Sequence, residues 1–244
     1  SYHIAKRIAF NKQQSFSRFI IRLSVAATAV SIIAMIITLA FVNGFQEKVA
    51  DKIFGFWGHI RVQKYETGKS LISEELPLTK NTAVENSLAT TPGVVSYQSF
   101  ATKSAVLESN TEIEGVLIKG IEKNENHTAL KKFLVAGKWI QFEDSLYSKE
   151  TIVSDAVAKQ LQIKLNDTIK VHFVSTNADA QKTYRKLVVV GFYHTGIDEY
   201  DKLFMIADIN LIRRINNWEP DQIGGYEVFI DQYQNIDAIS SGLS

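Results

Sequence analysis

The pattern of apolar and polar positions divides the chain into one uninterrupted apolar run near its start and a long alternating region after it. No residue from Leu23 to Gln46 carries a formal charge. The hydrocarbon core of a bilayer is about 30 Å thick, and an α-helix crosses it with about 20 apolar residues. A helix also satisfies its own backbone hydrogen bonds inside lipid. The run therefore predicts a transmembrane helix over residues 23–46.

A secretory signal peptide is the main alternative for such a run. Its apolar core is only about 7 to 15 residues long and ends at a cleavage site of the small-x-small type. The run found here is longer and leads into Asn43, Gly44 and Phe45, which do not form such a site. A buried helix of a soluble protein is rarely so uniformly apolar. The length favours a membrane span.

Small and hydroxyl-bearing residues share one face of the predicted span. At 100° per residue they fall within a stripe of about 120°, and larger apolar residues occupy the other faces. Because small residues let helices approach closely in lipid, this stripe predicts packing against another span or the lining of a cavity. A lone anchor with accidental small residues is the alternative. The predicted helix-packing residues are Ser24, Ala27, Thr28, Ser31, Ala34 and Thr38.

The segments on either side of the span are amphipathic. Aromatic and basic residues interleave before it, which predicts a cytoplasmic amphipathic elbow over residues 1–22 on the anionic leaflet. After it, apolar residues recur at helical spacing from Phe45 to Phe56. This spacing predicts that the helix continues beyond the membrane as a stalk over residues 47–58.

Residues 59–244 alternate between short strand-like and helix-like patterns. They predict a mixed α+β periplasmic domain with one or two subdomains, in which short helices lie on mixed sheets. A helical pattern begins just before Ser244, so we expect a fragment that stops before a second transmembrane helix. The predicted strands are 59–65, 94–108, 112–121, 151–153, 168–173, 186–193, 202–206 and 226–230, and the predicted helices are 81–90, 127–135, 154–161 and 209–217.

The distribution of charge predicts an orientation. Five basic residues and no acidic ones precede the span, which by the positive-inside rule places the N-terminus in the cytoplasm. All 26 acidic residues lie beyond the span, so the domain there is net acidic. Such a surface argues against nucleic-acid binding. The absence of cysteine is compatible with a periplasmic domain of this size, which can bury a core without disulfides.

The sequence motifs of common enzymes are absent. Gly68–Ser70 resembles the end of a phosphate-binding loop, but Gln63 stands where its first glycine is required. The five histidines are scattered and form no metal motif. Asp198, Glu199 and Asp201 do not have the spacing of a calcium-binding EF-hand loop, which favours a solvated acidic loop. We therefore expect no catalytic site and no metal.

Short motifs occur in a particular order along the whole chain. They are Val42–Gln46 followed by Ile53–Gly55, then 115–121, 136–139, 155–158 leading to 165–168, and 188–191 with 196–201. In their sequences and in their order along the chain, these motifs resemble the Lol-type lipoprotein-releasing permeases (LolC/LolE-like), which belong to the FtsX-like/MacB group of ABC transporter membrane subunits.

This resemblance implies a partnership and an activity. Two permeases, each with four spans and a periplasmic domain between the first and second, would pair with a cytoplasmic ATPase dimer. The second permease would be the same chain or a related one. The complex would extract lipoproteins from the inner membrane and pass them to a periplasmic carrier. This chain would be non-catalytic and without a cofactor, since ATP and Mg²⁺ would bind to the ATPase.

The resemblance also implies that the upper part of the first helix lines a cavity for acyl chains. An acyl chain gains about 0.8 kcal/mol per buried CH₂, so a smooth apolar wall near the interface suits it. Helix packing alone is the alternative for each residue. The candidate substrate-binding residues are Leu39, Val42, Phe45, Gln46 and Val49.

A loop that docks the carrier is a further implication. LolC-type members carry it in the periplasmic domain, and it contains proline. The matching segment here, 174–184, has none, because the prolines are Pro77, Pro92 and Pro220. A polar surface loop without a partner is therefore the alternative. The candidate docking residues are Ser175, Asn177, Asp179, Gln181 and Tyr184.

Two other functions stay open at this point. In an FtsX-like signalling module the same domain would regulate a periplasmic partner, and nothing would be transported. A plain binding domain held by a single span is the other. The sequence does not name the cargo or the carrier.

Overall fold

The computed structural model describes residues 16–65, 74–109, 112–143, 146–173, 184–232 and 235–242. The chain divides into two compact units, Ser1–Asp51 and Lys52–Ser244. Helix α1, Phe16–Trp57, has 42 residues and is long and apolar enough to cross a membrane. Residues 16–22, which the sequence assigns to an elbow, belong to this continuous helix, and residues 1–15 lie outside the described part of the chain.

The second unit is a mixed α+β structure in which helices lie against a largely antiparallel sheet. Its strands are β1 (Ile60–Gln63), β2 (Leu78–Thr79), β3 (Val94–Glu108), β4 (Ile113–Ile121), β5 (Leu134–Gly137), β6 (Glu150–Ser154), β7 (Thr168–Phe173), β8 (Tyr184–Tyr193), β9 (Phe204–Asp208), β10 (Gln222–Ile223) and β11 (Gly225–Ile230). Its helices are α2 (Thr82–Thr90), α3 (Thr128–Lys131), α4 (Asp155–Gln160), α5 (Asp198–Leu203), α6 (Ile209–Asn216) and α7 (Ile236–Gly242).

Six strands pair in a closed circuit. The order is β3, β4, β9, β6, β8, β7 and back to β3, with parallel pairing of β4 to β9 and of β6 to β8. Val188 closes the circuit on one side because it pairs with both Thr168 and Glu150. Ala105 does so on the other side by pairing with Val116 and Phe173. Closure leaves few free strand edges. The first half of β3 also pairs with β11, and β11 pairs with β1.

Strand β9 and residues 116–121 of β4 are buried on both faces, and their sequences are largely apolar. Alternate residues point to opposite sides of a strand. Ile118 and Met205 belong to the larger hydrophobic core. Their neighbours Leu117 and Phe204 belong to a second, smaller core, which also contains Phe56 from the end of α1. The smaller core therefore joins the last turn of α1 to the sheet.

The helices predicted over 154–161 and 209–217 are confirmed as α4 and α6, and each begins with a side-chain cap. The Ser154 hydroxyl accepts a hydrogen bond from the Val157 backbone N–H at 3.0 Å. The Asp208 carboxylate accepts one from the Asn210 N–H at 2.9 Å. Each cap satisfies a backbone donor that the first helical turn leaves unpaired.

Two predicted boundaries are wrong for tertiary reasons. The helix predicted over 127–135 ends at Lys131, because Leu134–Gly137 pairs with β8 as strand β5. The strand predicted from Lys202 begins only at Phe204, because Asp198–Leu203 forms helix α5. At Leu134–Gly137, pairing with a distant strand outweighs local propensity, and at Asp198–Leu203 a short helix precedes the buried strand β9.

Candidate functional site

The predicted helix-packing stripe lies on the exposed surface of α1 in the first unit. Its hydroxyl groups bond within the helix. Thr28 donates to the Ser24 carbonyl at 2.9 Å, and Thr38 donates to the Ala34 carbonyl at 2.8 Å. Ser31 donates in the same way to the carbonyl of Ala27 at 2.9 Å. Because these donors are satisfied internally, the stripe can face lipid or pack closely on another helix.

The predicted substrate-binding residues share one face of α1. At 100° per residue they fall within an arc of about 120°. Phe45 is 61% exposed and its ring stacks on that of Phe41, with centroids 6.3 Å apart. The others are exposed or, in the case of Val49, half-buried. The face is Leu39, Val42, Phe45, Gln46 and Val49, and it offers a continuous apolar wall with a single amide.

The predicted docking loop falls mostly outside the described residues. Ser175, Asn177, Asp179 and Gln181 lie there, so the structure does not test them. Tyr184 begins β8 and is half exposed, with its ring centroid 5.7 Å from that of His172.

The end of α1 is held by an aromatic cluster within the second unit. Phe56 is fully buried. Its ring centroid lies 5.2 Å from that of Tyr200, 5.5 Å from Phe204 and 5.8 Å from Tyr193. Burying such a side chain stabilises the fold by about 1.5–3 kcal/mol, and ring pairs add to it. The last turn of α1 is thus part of the domain core.

A buried ion pair lies directly beneath that turn. Lys119 of β4 and Glu227 of β11 are both fully buried, with 2.7 Å between the Lys119 Nζ and the Glu227 Oε1. The ammonium group also donates to the backbone carbonyl of Phe56 and lies 4.5 Å from the centroid of the Trp57 ring. Gln98 Nε2 donates to Glu227 Oε2 at 2.9 Å. Carbonyls in the last turn of a helix have no partner within the helix and attract cations, so Lys119 caps α1.

The charges of this pair depend on each other. Burial lowers the pKa of the Lys119 ammonium group, and the Glu227 carboxylate opposes that shift. A buried charge without its partner is costly, so both groups are needed together.

A second cationic side chain, Arg61, contacts the aromatic side chain of Trp57 at the end of α1. The Arg61 guanidinium lies 4.7 Å from the centroid of the Trp57 ring and 4.4 Å from that of Phe100. Its Nη2 is 2.8 Å from Glu75 Oε1, and Glu75 Oε2 accepts two hydrogen bonds from Thr102. We call Phe56, Trp57, Arg61, Lys119 and Glu227 the helix joint.

The sequence analysis did not identify the helix joint. A signal for it exists, because Lys119 is the one charged residue in the apolar segment 115–121. Glu227 likewise stands between Tyr226 and Val228 in a strand that is otherwise uncharged and largely buried. A lone charge in a buried strand requires a partner, but the sequence does not say which.

The acidic residues of segment 198–201 have different environments in the structure. Asp198 and Glu199 are exposed, and Asp198 pairs with Lys202. Asp201 is buried instead and lies with Asp155 and His194 in a cluster whose ligand atoms are all within 4.8 Å of one another. Among the described residues this is the group of side chains that could hold a metal ion.

An apolar helix whose last turn is built into a mixed α+β domain defines the class: a membrane-type protein with a domain outside the bilayer. Residues 23–236 match the family model of the MacB-like periplasmic core domain, and the chain belongs to that family. The match confirms the predicted resemblance and the predicted fold class, an N-terminal apolar helix with a stalk extension followed by a MacB-like α+β domain.

Three relatives align along nearly the whole chain. The chain is 28% identical over 229 residues to the lipoprotein-releasing system transmembrane protein LolC of Buchnera aphidicola, covering 88% of this chain and 51% of that protein. It is 23% identical to LolC of Neisseria meningitidis, covering 95% and 54%. It is 22% identical to the transmembrane protein LolE of Haemophilus influenzae, covering 94% and 55%. The chain thus spans about half the length of the curated relatives it matches.

Two solved structures align with most of the chain. The extracellular domain of the noncanonic ABC-type transporter YknZ from Gram-positive bacteria superposes with a TM-score of 0.47 and 18% identity, covering 74% of this chain and 87% of that chain. The periplasmic region of MacB from Actinobacillus actinomycetemcomitans gives a TM-score of 0.48 and 15% identity, covering 75% and 78%.

Proposed function

We propose that this chain belongs to the membrane subunit of an ABC transporter that extracts lipoproteins from the inner membrane and transfers them to a periplasmic carrier. The observation that carries the proposal is the alignment of 88–95% of the chain with three proteins named as components of lipoprotein-releasing systems. The partners would be a cytoplasmic ATPase dimer and a second permease subunit. ATP and Mg²⁺ would bind to the ATPase, and this chain would have no catalytic role.

The charge distribution supports an orientation for that role. Lys and Arg residues cluster before the apolar run, and acidic residues follow it. The N-terminus would therefore lie in the cytoplasm and the domain from Lys52 onward in the periplasm. This domain would meet the carrier, for which segment 174–184 is the candidate docking loop.

The exposed face of α1 supports cargo binding. A lipoprotein carries acyl chains, which gain about 0.8 kcal/mol for each buried CH₂. Val42 and Phe45 present exposed apolar surface near the outer end of the span. We propose that the acyl chains lie on this face, together with Leu39, Gln46 and Val49.

The helix joint supports a role in coupling. The turn that carries Phe56 and Trp57 is fixed to β4 and β11 by buried aromatic, ionic and backbone contacts. A displacement of that turn must therefore move the sheet with it, because packed cores do not deform continuously. We propose that the joint passes motion between the helix and the domain during each ATPase cycle.

A second candidate function is FtsX-like signalling, in which the domain regulates a periplasmic partner without transport. One observation favours it: segment 174–184 lacks the proline that the docking loop of LolC-type members contains.

Site-specific photocrosslinking tests the cargo proposal. A photoreactive residue at Val42 or Phe45 of the full-length permease, assembled with its ATPase, is exposed to a triacylated lipoprotein. Ala40 is the matched control because it lies at nearly the same depth on the opposite side of α1. Stronger labelling at positions 42 and 45 than at 40 supports the proposal. Equal labelling at all three contradicts it.

A further inference from the structure

Two carboxylates converge on one imidazole nitrogen at the surface of the second unit. Asp155 opens helix α4, His194 follows strand β8, and Asp201 lies in helix α5. His194 Nδ1 is 3.0 Å from Asp155 Oδ1 and 3.3 Å from Asp201 Oδ2. Asp155 is distant in sequence from His194 and Asp201 and is brought to them by the fold.

A single proton does not satisfy this arrangement. Nδ1 carries at most one hydrogen, and that hydrogen can point well at only one of the two carboxylate oxygens. A cation placed between the three atoms is attracted by both carboxylates and by the nitrogen lone pair at once. The geometry therefore suits a metal ion better than it suits a proton.

We propose that Asp155, His194 and Asp201 form a binding site for a divalent transition-metal ion of the zinc type. In a tetrahedral zinc site with bonds of about 2.0–2.1 Å, ligand atoms stand about 3.3 Å apart. The separations of 3.0 Å and 3.3 Å between His194 Nδ1 and the two carboxylates fit that requirement. Imidazole and carboxylate are both zinc ligands, and water would complete the coordination.

The surrounding structure holds the ligands in place before an ion arrives. Asp201 Oδ1 accepts hydrogen bonds from the Thr195 N–H and from the Thr195 hydroxyl, both at 2.8 Å, and its Oδ2 accepts one from the Gly196 N–H at 2.9 Å. Lys159 Nζ lies 2.8 Å from Asp155 Oδ2 and leaves Oδ1 to face His194. Such outer contacts orient metal ligands and strengthen binding.

Two ammonium groups near the site limit its affinity. Lys159 pairs with Asp155. The Lys52 ammonium group lies close to Gly196: a Cβ atom added to this glycine would be 2.5 Å from the Lys52 Nζ. Both repel a divalent cation. His194 is half exposed, so an ion can enter from solvent. We therefore expect an ion that exchanges with solvent rather than one that is permanently bound.

The proposed metal site lies beside the helix joint. It is a binding property additional to the proposed transport function. Tyr193 precedes His194, Tyr200 precedes Asp201, and both tyrosine rings pack on Phe56. An ion that ties β8 to α4 and α5 restrains the backbone carrying these rings. Metal binding would therefore stiffen the aromatic cluster that holds the end of α1.

Zinc titration of the full chain in detergent tests the site. Isothermal titration with Zn²⁺ and the visible absorption of bound Co²⁺ report affinity and coordination directly. We expect His194→Ala and Asp155→Asn each to weaken Zn²⁺ binding at least about tenfold, since even losing a supporting contact costs that much. Both positions are partly exposed, so these variants should fold, and circular dichroism without metal checks this.

His172→Ala provides the matched control. His172 also lies against a carboxylate, with Nε2 2.6 Å from Glu108 Oε2, and a lysine is nearby, but among the residues that the structure describes a second carboxylate does not converge on it. We expect this variant to bind Zn²⁺ like the wild type. Unchanged Zn²⁺ affinity in His194→Ala, or an equal loss in His172→Ala, would overturn the proposal.

Discussion

Lys119 and Glu227 form an ion pair at 2.7 Å in which both side chains are fully buried, and the ammonium group also holds the carbonyl of Phe56 at the end of α1. The pair joins three elements that are distant in sequence: the stalk helix, β4 and β11. It fixes the last turn of α1 to the sheet through charge as well as through packing.

Removing one member of this pair should destabilise the domain strongly. Lys119→Met leaves the Glu227 carboxylate buried without a partner, which costs about 3–5 kcal/mol in the free energy of unfolding. The double variant Lys119→Met/Glu227→Leu removes both charges and should recover most of that loss. Denaturant unfolding of the full chain in detergent measures both. A double variant as unstable as the single one would show that packing, and not charge, dominates.

Truncating Phe56 should loosen the joint. Phe56→Ala empties a fully buried site between Tyr193, Tyr200 and Phe204, and such a change costs about 3–5 kcal/mol. The exposed Phe41→Ala, also on α1, is the control and should not alter domain stability. Thermal unfolding followed by near-ultraviolet circular dichroism reports the aromatic cluster. Equal melting temperatures for Phe56→Ala and the wild type would contradict the assigned packing.

Two glycines of β4 should respond differently to an added methyl group. A Cβ atom at Gly120 would lie 2.9 Å from the Cα of Ile209, whereas the space around Gly115 is open. Gly120→Ala should therefore cost about 1–3 kcal/mol through overpacking of α6 on the sheet. Gly115→Ala should leave stability almost unchanged. The free energy of unfolding of the two variants gives the comparison, and similar losses in both would argue against the packing of α6 on β4.

Glu125 should make stability depend on pH. Burial raises the pKa of its carboxyl group from 4.5 to about 7, although the Ser99 N–H donates to both oxygens at 2.8 Å. Because the folded state holds this proton more tightly than the unfolded state, the contribution is full below pH 4.5 and is lost as the pH rises through about 7. Glu125→Gln should flatten the fall in melting temperature over that range. An identical pH profile in the variant would contradict the assignment.

Local patterns predicted much of the fold. The strands predicted over 94–108 and 112–121 correspond to β3 and β4, and the side chains of Ser154 and Asp208 cap the helices predicted over 154–161 and 209–217. Residues 134–135, predicted as the end of the helix over 127–135, belong instead to strand β5, whose pairing partner β8 is distant in sequence. Local periodicity carries no information about such pairings.

The candidate sites also differ in whether the sequence could predict them. The exposed face of α1 could be predicted, because its residues share one helix and a fixed angular spacing. Lys119 and Glu227 are 108 positions apart, and His194 meets Asp155 from a separate element. These contacts depend on strand order and on the closed circuit of the sheet, which the sequence pattern does not reveal.

Reconstituted transfer tests the central proposal most directly. The full-length permease is placed in liposomes with its ATPase and a triacylated lipoprotein, and release to a soluble carrier is measured with and without ATP. The proposal predicts ATP-dependent release, which should fall in Lys119→Met and recover in Lys119→Met/Glu227→Leu. ATP hydrolysis without any release of lipoprotein would contradict the transport function and favour signalling.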